Sequence, residues 1–323
     1  MKGMMKAVRI HEYGGPEVLC YEDVPIPEPQ QGEILVCVHA AGVNPADRQI
    51  RAGLRRRLAK PFSFTLGADV SGVIDKAGPG VTDLAVGDQV YAMVLSMGAY
   101  AQYVAGPADS FAHKPKSLDH VRAAALPVVA LTAWQAVFEV GGLIPGQKVL
   151  IHGAAGGVGH MAVQFAKWRK AYVIGTASAR NEAFLRQLGV DEFIDYQSTT
   201  FESVAHDVDL VIETIPREVD DRTDAMANET IQRSWPVLKD GGFLVSACTT
   251  PVPDAAASER GLCGLMANAQ NRRDHLDQIA RLVDEGHVSA AVSTVLPLKE
   301  ARRAHELIHT GHTQGKIVLR VKD

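Results

Sequence analysis

The chain has 323 residues, 46% of them hydrophobic, and a formal net charge of −4 at pH 7. A chain of this length exceeds one ordinary domain, so two domains are expected. The composition is that of a globular protein, and the slightly acidic balance without a basic stripe argues against a nucleic-acid partner. Three consecutive arginines, Arg55 to Arg57, are interpreted as a solvated loop.

The cysteine usage and the apolar runs bear on location. The four cysteines are scattered and no two form a Cys-x-x-Cys pair, so neither a structural zinc lobe nor a disulfide framework is indicated. Such usage is typical of a reducing cytoplasm, where we expect the protein to lie. The longest apolar run, residues 123–134, is too short to span a bilayer, and the N-terminal positive charges precede no signal-peptide core. No membrane partner is therefore expected.

Short strands dominate the first third of the chain. Alternating or apolar runs predict strands at residues 5–10, 33–40, 65–77, 86–91 and 98–104. Cys37 and His39 share one face of the second of these strands, and simple packing explains the pair better than metal binding does. Because helices are few here, we predict a compact, β-rich, barrel-like domain.

Near residue 121 the pattern changes to alternating helices and strands. A mostly apolar helical stretch, 121–140, is interrupted at Pro127. Six strands follow, most of them alternating with helices, which is typical of a parallel, doubly wound sheet. These strands are predicted at 148–152, 172–176, 192–195, 209–213, 242–248 and 262–267, with helices at 157–169, 181–188 and 222–238. Two amphipathic helices, 272–286 and 298–310, and a last strand at 316–321 are expected to return to the first domain, because the sixth strand completes the sheet.

The stretch from Lys148 to Gly159 organises this second region. An apolar strand is followed by a turn crowded with glycines and then by a helical pattern. Small residues let a backbone approach a pyrophosphate, and the free N–H groups of a helix start point at it. The spacing Gly-x-x-Gly-x-x-Gly is not the standard fingerprint, and a tight strand-to-helix turn would also need glycines. The surrounding strand–helix units nevertheless favour a dinucleotide site, whose phosphate-binding residues would be Ala155, Gly156, Gly157 and Val158.

The end of the next strand indicates which dinucleotide is bound. Folds that bind NAD place Asp or Glu there to hold the ribose 2′-OH. Here the strand ends at Thr176, and Ser178 and Arg180 follow. A hydroxyl and a guanidinium suit a 2′-phosphate, so NADPH is predicted over NADH. The alternative is that Ser178 caps a helix and Arg180 is a surface residue.

Eight stretches together resemble the zinc-free medium-chain dehydrogenases/reductases, specifically the NADPH:quinone oxidoreductase (zeta-crystallin-like) family. They follow the family's order along the chain: residues 40–47 (AAGVNPAD), 66–73 (LGADVSGV), 86–91 (VGDQVY), 98–104 (GAYAQYV), 131–134 (LTAW), 153–159 (GAAGGVG), 188–191 with 194–196, and 315–318 (GKIV). The resemblance implies an α/β protein in which a Rossmann doubly wound parallel sheet accompanies a GroES-like β-rich domain. We predict a GroES-like substrate domain at 1–123 plus 270–323 and a Rossmann NADPH-binding domain at 124–269.

The same resemblance implies the nicotinamide site. Asn44 and Thr132 would line the nicotinamide pocket, Tyr196 would approach the 2′-phosphate, and Lys316 would close the site from the C-terminal segment. The loop after strand 242–248 is also expected to touch the nicotinamide. As alternatives, Thr132 bonds its own helix backbone, as helical threonines do, and Tyr196 is a half-buried aromatic at a strand end.

No metal site is predicted. Zinc-dependent relatives place a cysteine where Asn44 stands and a His-Glu pair where Ala68 and Asp69 stand. Neither Asn44 nor Ala68 is a normal zinc ligand, and Asp69 alone does not hold a catalytic zinc. Hydride transfer is therefore expected to proceed without a Lewis acid.

The predicted function is transfer of hydride from NADPH to a quinone or to an α,β-unsaturated ketone or aldehyde. Negative charge would build on the substrate carbonyl oxygen, and Asn44, Gln49 and Thr132 are candidate donors to it. Many relatives carry a tyrosine where Gln49 stands, so no general acid is assigned. Two alternatives stay open: a 2-enoyl thioester reductase, with Arg51 and Arg55 to Arg57 as a basic entrance for a coenzyme A tail, and a non-enzymatic NADPH-binding protein.

A homodimer is predicted from the last strand of the sheet, residues 262–267. It is apolar, and an exposed sheet edge of that kind tends to pair across a two-fold axis. The alternative is that a loop covers this edge.

Overall fold

A computed structural model of the protein describes residues 3–55, 61–215, 229–247, 261–267, 269–311 and 313–322. The strands are β1 (Met4–Ile10), β2 (Cys20–Pro25), β3 (Glu33–Val43), β4 (Phe64–Thr65), β5 (Asp69–Ala77), β6 (Gln89–Met93), β7 (Tyr103–Pro107), β8 (Phe111–His113), β9 (Lys148–His152), β10 (Tyr172–Ala177), β11 (Glu192–Asp195), β12 (Val208–Glu213), β13 (Leu238–Ser246), β14 (Cys263–Met266), β15 (Val292–Pro297) and β16 (Lys316–Arg320). The helices are α1 (Pro45–Arg51), α2 (His120–Ala124), α3 (Pro127–Trp134), α4 (Gly157–Trp168), α5 (Glu182–Gln187), α6 (Glu229–Ser234), α7 (Arg273–Asp284) and α8 (Ala301–His309).

The chain divides into two compact units, Met1–Val128 with Asn271–Asp323, and Val129–Gln270. The first unit is built on a seven-stranded sheet with the order β15-β16-β3-β5-β6-β8, in which β7 also pairs with β3. A second sheet has the order β2-β1-β4. Many strands and short helices in this unit agree with the β-rich domain that the sequence predicts.

Strand β3 is the centre of the first unit. It pairs with β5, β7 and β16, all antiparallel. Its apolar residues Ile34, Val36 and Val38 are completely buried, as the alternating pattern predicts. Neighbouring backbone passes close to β5 at Gly72, where a Cβ would lie 2.1 Å from the Cys37 carbonyl oxygen.

One strand prediction in the first unit is wrong, and two strands of this unit, β8 and β15, were not predicted. The strand predicted at 98–104 is displaced, because β7 begins only at Tyr103. The preceding backbone bonds elsewhere: the N–H groups of Ala99 and Tyr100 donate to the Gly67 and Leu66 carbonyls of a connecting loop. Strand β15 is absent from the prediction, since it is a largely exposed edge strand with no continuous apolar run.

The second unit contains a six-stranded, entirely parallel sheet with the order β11-β10-β9-β12-β13-β14. This confirms the predicted doubly wound sheet. The strand order reverses between β9 and β12, and ligands bind outside the carboxyl ends of strands at such a point. Central position explains why Val149, Leu150 and Ile151 of β9 are fully buried.

The apolar stretch 121–140 is helical and interrupted at Pro127, as predicted. Pro127 is the first residue of α3, where a missing N–H costs no helix bond. After Trp134 the chain continues as a π-helix, Gln135–Val140, in which the Gly141 N–H donates to the Ala136 carbonyl. The helix predicted at 222–238 falls partly outside the described residues; its described part is α6 followed by one 3₁₀ turn, Trp235–Val237.

Candidate functional site

The predicted site residues fall into two groups, one in each unit. Asn44, Gln49 and Lys316 belong to the first unit. The remaining candidates belong to the second unit: Thr132, Ala155, Gly156, Gly157, Val158, Thr176, Ser178, Arg180 and Tyr196.

The turn between β9 and α4 needs glycine at two positions for reasons internal to the fold. Gly153 has a φ of +66°, which L side chains rarely adopt. A Cβ on Gly159 would lie 2.2 Å from the Gly153 carbonyl oxygen and 2.8 Å from the Ala154 Cα, so any side chain there collides with backbone. These two glycines make the tight strand-to-helix turn.

Gly156 is different, because the turn itself does not require it. It is the N-cap of α4 with an ordinary extended backbone, and a Cβ there would meet only the Gly153 oxygen, at 3.2 Å. The space in front of Gly156 is therefore open. The N–H groups of the first helical turn, from Gly157 onward, have no partner within the helix. An open space before a helix N-terminus fits the phosphates of a dinucleotide.

Candidate 2′-phosphate residues gather at the carboxyl edge of β10 and β11. These strands pair in parallel with Ala177 opposite Asp195, so Ser178 and Tyr196 leave the sheet side by side. Ser178 is buried and accepts a hydrogen bond from Asn181 Nδ2 at 3.1 Å. Tyr196 and Arg180 are exposed. The corner thus presents a phenol and a guanidinium. Thr176, Ser178 and Arg180 stand where folds that bind NAD place Asp or Glu, and none of them is acidic.

Three polar residues close to the ends of these parallel strands were missed in the prediction from the sequence: His152, Thr214 and Ser234. His152 ends β9, and its ring lies 3.2 Å from Thr176 Oγ1 and 3.0 Å from Ser234 Oγ. Burial lowers the pKa of His152 to about 3, so the ring is neutral and does not serve as an acid. Thr214, just after β12, donates to the His152 carbonyl at 2.6 Å. A polar residue at the end of successive parallel strands was the signal available in the sequence.

Thr132 lies in α3, three residues before the π-helix begins. It is 5% exposed. A π-turn within a helix frequently marks a functional position, because the extra residue redirects the side chains around it.

The first unit contains a buried polar cluster of Asn44, Asp69 and Lys316. These side chains are 3%, 0% and 3% exposed. Lys316 Nζ donates to the Val43 carbonyl at 2.9 Å, to Asn44 Oδ1 at 2.5 Å and to Asp69 Oδ2 at 3.0 Å. Asn44 Nδ2 donates to Asp69 Oδ2 at 2.9 Å, and Asp69 Oδ1 accepts from the Val128 N–H at 2.6 Å.

Asp47 supports this cluster from helix α1. Its Oδ2 accepts from the Asn44 N–H and from the Tyr100 hydroxyl, both at 2.9 Å. Burial raises the pKa of Asp47 to about 6, although both hydrogen bonds and the charge of Lys316 oppose the change. Gln49, on the same helix, is 2% exposed.

Arg51 does not form the basic entrance that a coenzyme A tail would need. It is 5% exposed, and its guanidinium donates to the Gly14 carbonyl at 3.1 Å and contacts His305 Nδ1 at 3.3 Å. Its charge is thus directed into the fold. Arg56 and Arg57 lie outside the described residues.

The cluster does not fit a catalytic zinc ion. Asn44 and Asp69 stand where zinc-dependent relatives carry ligands, and both are bonded to the Lys316 ammonium. A cation held against the same oxygens would compete with a metal for them. Within the described ranges, no group of three or more His, Cys, Asp or Glu side chains is arranged to hold a metal.

In the described parts of the chain, no helix is both long enough and apolar enough to cross a membrane.

Two protein families match the chain. Residues 30–116 match the alcohol dehydrogenase GroES-like domain, and residues 188–319 match a family described as zinc-binding dehydrogenase. The first match falls in the first unit. The second begins in the parallel sheet and continues into β16.

Known relatives match along nearly the whole length. Quinone oxidoreductase of Mus musculus is 32% identical over 329 residues, covering 98% of both chains. The 2-haloacrylate reductase of a Burkholderia species is 31% identical over 335 residues, covering 98% of this chain and 99% of the relative. The crystal structure of Escherichia coli quinone oxidoreductase complexed with NADPH is 28% identical, with a TM-score of 0.87 over 98% of this chain and 100% of that one.

These matches confirm the resemblance on which the fold was predicted, with a GroES-like first unit and a Rossmann-type sheet in the second. They also identify the class of activity, since the matched relatives are oxidoreductases and reductases of small molecules. The chain therefore belongs to the quinone oxidoreductase family of medium-chain dehydrogenases/reductases, and it is an oxidoreductase that uses a nicotinamide cofactor.

Proposed function

We propose that the protein uses NADPH to reduce quinones or α,β-unsaturated carbonyl compounds without a metal. The observation that carries the proposal is the Asn44 amide, held in a buried polar cluster with a nitrogen available to donate. Reduction of a quinone or an enone places negative charge on a carbonyl oxygen, which a fixed N–H donor stabilises. The named relatives support this class, because a haloacrylate is also an electron-poor conjugated alkene.

We propose NADPH as the cofactor. The fold suits its phosphates through the open space at Gly156 and the N-terminus of α4. Ser178, Arg180 and Tyr196 would hold the 2′-phosphate beside Thr176, and Asn44 and Thr132 would contact the nicotinamide. When bound, the reduced nicotinamide supplies the hydride. The protein's own residues bind and orient it.

The two groups of predicted site residues suggest which unit binds the cofactor and which binds the substrate. We assign the cofactor to the second unit, in the predicted range 124–269, except for its nicotinamide contact with Asn44, and the substrate to the first, in the predicted ranges 1–123 and 270–323. Gln49 is proposed as a polar substrate contact where many relatives have tyrosine. No general acid is assigned, because the two carboxyls of this region, Asp69 and Asp47, both accept hydrogen bonds from neighbouring donors within the fold.

A homodimer is proposed through β14. This strand forms one edge of the six-stranded sheet. Leu265 and Met266 are 53% and 37% exposed on it. An apolar edge is stabilised when a second copy of the chain pairs with it.

The cysteines support a cytoplasmic location, which we also propose. Cys20 and Cys263 are exposed and Cys37 is half-buried, and all three are free thiols. Exposed free thiols persist in a reducing compartment.

The test is consumption of NADPH or NADH against a quinone, an enone and an enoyl thioester. We expect turnover of the quinone or the enone, with kcat/KM at least about tenfold higher with NADPH, equivalent to ~1.4 kcal/mol. Turnover of the thioester alone would favour a 2-enoyl thioester reductase. Binding of NADPH without any turnover would favour a non-enzymatic role, and equal use of both cofactors would refute the 2′-phosphate site.

A matched pair of variants locates the cofactor preference. Arg180→Ala should remove most of the NADPH preference and leave kcat/KM with NADH unchanged. Arg186→Ala is the control, because this arginine lies on α5 and bonds the Asp191 carbonyl and Glu182 instead.

A further inference from the structure

The amide of Asn44 has only one possible orientation. The oxygen and nitrogen of an asparagine amide look alike to most methods and are assigned from their partners. Here one neighbour, the Lys316 ammonium, can only donate, and the other, the Asp69 carboxylate, can only accept. Oδ1 must therefore face Lys316, and Nδ2 must face Asp69, as the distances of 2.5 Å and 2.9 Å show.

The Lys316 ammonium is fully used by this arrangement. An ammonium carries three N–H donors, and Nζ has three acceptors: the Val43 carbonyl, Asn44 Oδ1 and Asp69 Oδ2. No donor is left for a cofactor or a substrate. With its side chain 3% exposed, Lys316 is placed to act on its neighbours.

Asn44, in contrast, keeps one N–H group. Its Nδ2 carries two hydrogens, and in the described part of the chain Asp69 Oδ2 is the single acceptor bonded to it. A cation on the amide oxygen also draws electron density from the nitrogen, so the second N–H becomes a stronger donor. The Asn44 backbone is held as well, through the bond from its N–H to Asp47 Oδ2.

We propose that Lys316 and Asp69 are positioning residues that fix the Asn44 amide as an N–H donor to a carbonyl oxygen. This inference rests on the proposed function for the origin of that oxygen, which is either the substrate carbonyl or the carboxamide of the nicotinamide. The ammonium thus takes part in recognition through Asn44, from 272 positions away in the sequence. This proposed role of Lys316 differs from the direct contact that the family resemblance implies, in which Lys316 closes the site.

The first test needs neither substrate nor cofactor. Selective ¹⁵N labelling of asparagine, with Asn44→Asp to identify the missing signal, assigns the Asn44 side-chain amide in NMR spectra. We expect Lys316→Met to move or broaden this pair of signals, and Lys322→Met to leave it in place. Lys322 is the matched control, since it is exposed and lies near Cys37 at the other end of the same segment. An unmoved pair in Lys316→Met would overturn the proposal.

The second test is a double-mutant cycle with the best acceptor found for the wild type. Lys316→Met should lower kcat about tenfold or more if the oxygen belongs to the substrate, or raise the Kd for NADPH by a similar factor if it belongs to the nicotinamide. In an Asn44→Ala background the same change should have no effect on either, because the group through which Lys316 acts is gone. If the losses caused by Lys316→Met and Asn44→Ala instead multiply in the double variant, the two residues act independently and the proposal is overturned.

The proposal can still be tested if Lys316→Met does not fold or if the wild type shows no turnover. Asp69→Asn serves as a second variant if Lys316→Met does not fold; it too should move the Asn44 signals, because the acceptor that orients Nδ2 becomes a group that can also donate. If the wild type turns over none of the acceptors, the proposed function fails, whereas the NMR and NADPH-binding measurements still decide the role of Lys316.

Discussion

At the scale of single residues, the site contains ionisable groups whose charge is set by burial. Asp47 is 1% exposed and has its pKa raised to about 6, whereas His152 is 1% exposed and has its pKa lowered to about 3. Desolvation disfavours the charged form in both cases. The two groups therefore oppose each other in their effect on acid stability, since an unfolded chain would release the proton from Asp47 and take one up on His152.

Asp47→Asn tests the buried carboxyl through the pH dependence of stability. Between the ordinary pKa of 3.8 and about 6, the folded state keeps a proton on Asp47 that the unfolded state has lost. The folded state then binds more protons, so its stability falls as the pH rises through this window. Relative to Asp47→Asn, the wild type should lose about 2 kcal/mol of unfolding free energy between pH 4 and pH 6, measured by urea denaturation.

The substitution keeps an amide oxygen that can accept from the Asn44 N–H and the Tyr100 hydroxyl, so geometry is preserved. Asp109→Asn, at an exposed carboxylate, is the control and should leave the pH dependence unchanged. Parallel stability curves for the wild type and Asp47→Asn would show that the folded-state pKa of Asp47 is ordinary.

At the scale of elements, the strand–turn–helix from β9 to α4 has two kinds of glycine. Gly153 and Gly159 are required by the turn, through a positive φ and a close approach of backbone. The turn itself does not require glycine at position 156, and Gly156 faces the open space that we assign to phosphate. Within these seven residues, the structure therefore distinguishes the glycines that folding requires from the glycine that cofactor binding would require, although the sequence alone does not tell them apart.

A pair of alanine substitutions makes this separation measurable. Gly159→Ala should destabilise the fold by about 1–3 kcal/mol, because its Cβ meets backbone atoms that cannot move aside. Gly156→Ala should leave the thermal unfolding temperature nearly unchanged and weaken NADPH binding about tenfold or more, since a methyl group would stand where the pyrophosphate approaches. Calorimetry and fluorescence titration measure the two effects. Equal effects of both variants on stability would contradict the distinction.

At the scale of the whole molecule, the first unit is discontinuous in sequence. Its sheet is completed only when β16 pairs antiparallel with β3, which joins the C-terminal segment to the first part of the chain. The same pairing delivers Lys316 to Asn44. The second unit is continuous, and its sheet ends at β14, whose outer edge is apolar.

Leu265→Glu tests the proposed dimer at that edge. A charge on an apolar edge strand opposes pairing with a second copy, so the variant should elute as a monomer while the wild type has twice the monomer mass by light scattering. Val295→Glu, on the edge strand β15 of the first unit and 39% exposed, should remain dimeric. A monomeric wild type, or a dimeric Leu265→Glu protein, would rule out this interface.

Prediction from the sequence succeeded where structure follows from local pattern. The parallel strands β9 and β11, the helix start at Gly157 and the break at Pro127 were placed correctly, because hydrophobic period, glycine and proline act within a few residues. It failed at residues 98–104, where the backbone bonds to a distant loop. The loop expected to touch the nicotinamide lies largely outside the described residues.

The sequence by itself determined the two-part architecture, the strand–glycine–helix corner and the missing carboxylate after β10, since each depends on the identity and spacing of neighbouring residues. Only the tertiary structure decided which charges meet. Lys316 reaches Asn44 and Asp69 across 272 and 247 positions, and the pKa of Asp47 follows from the burial that this packing produces. Long-range strand pairing sets these contacts, and local preference carries no information about it.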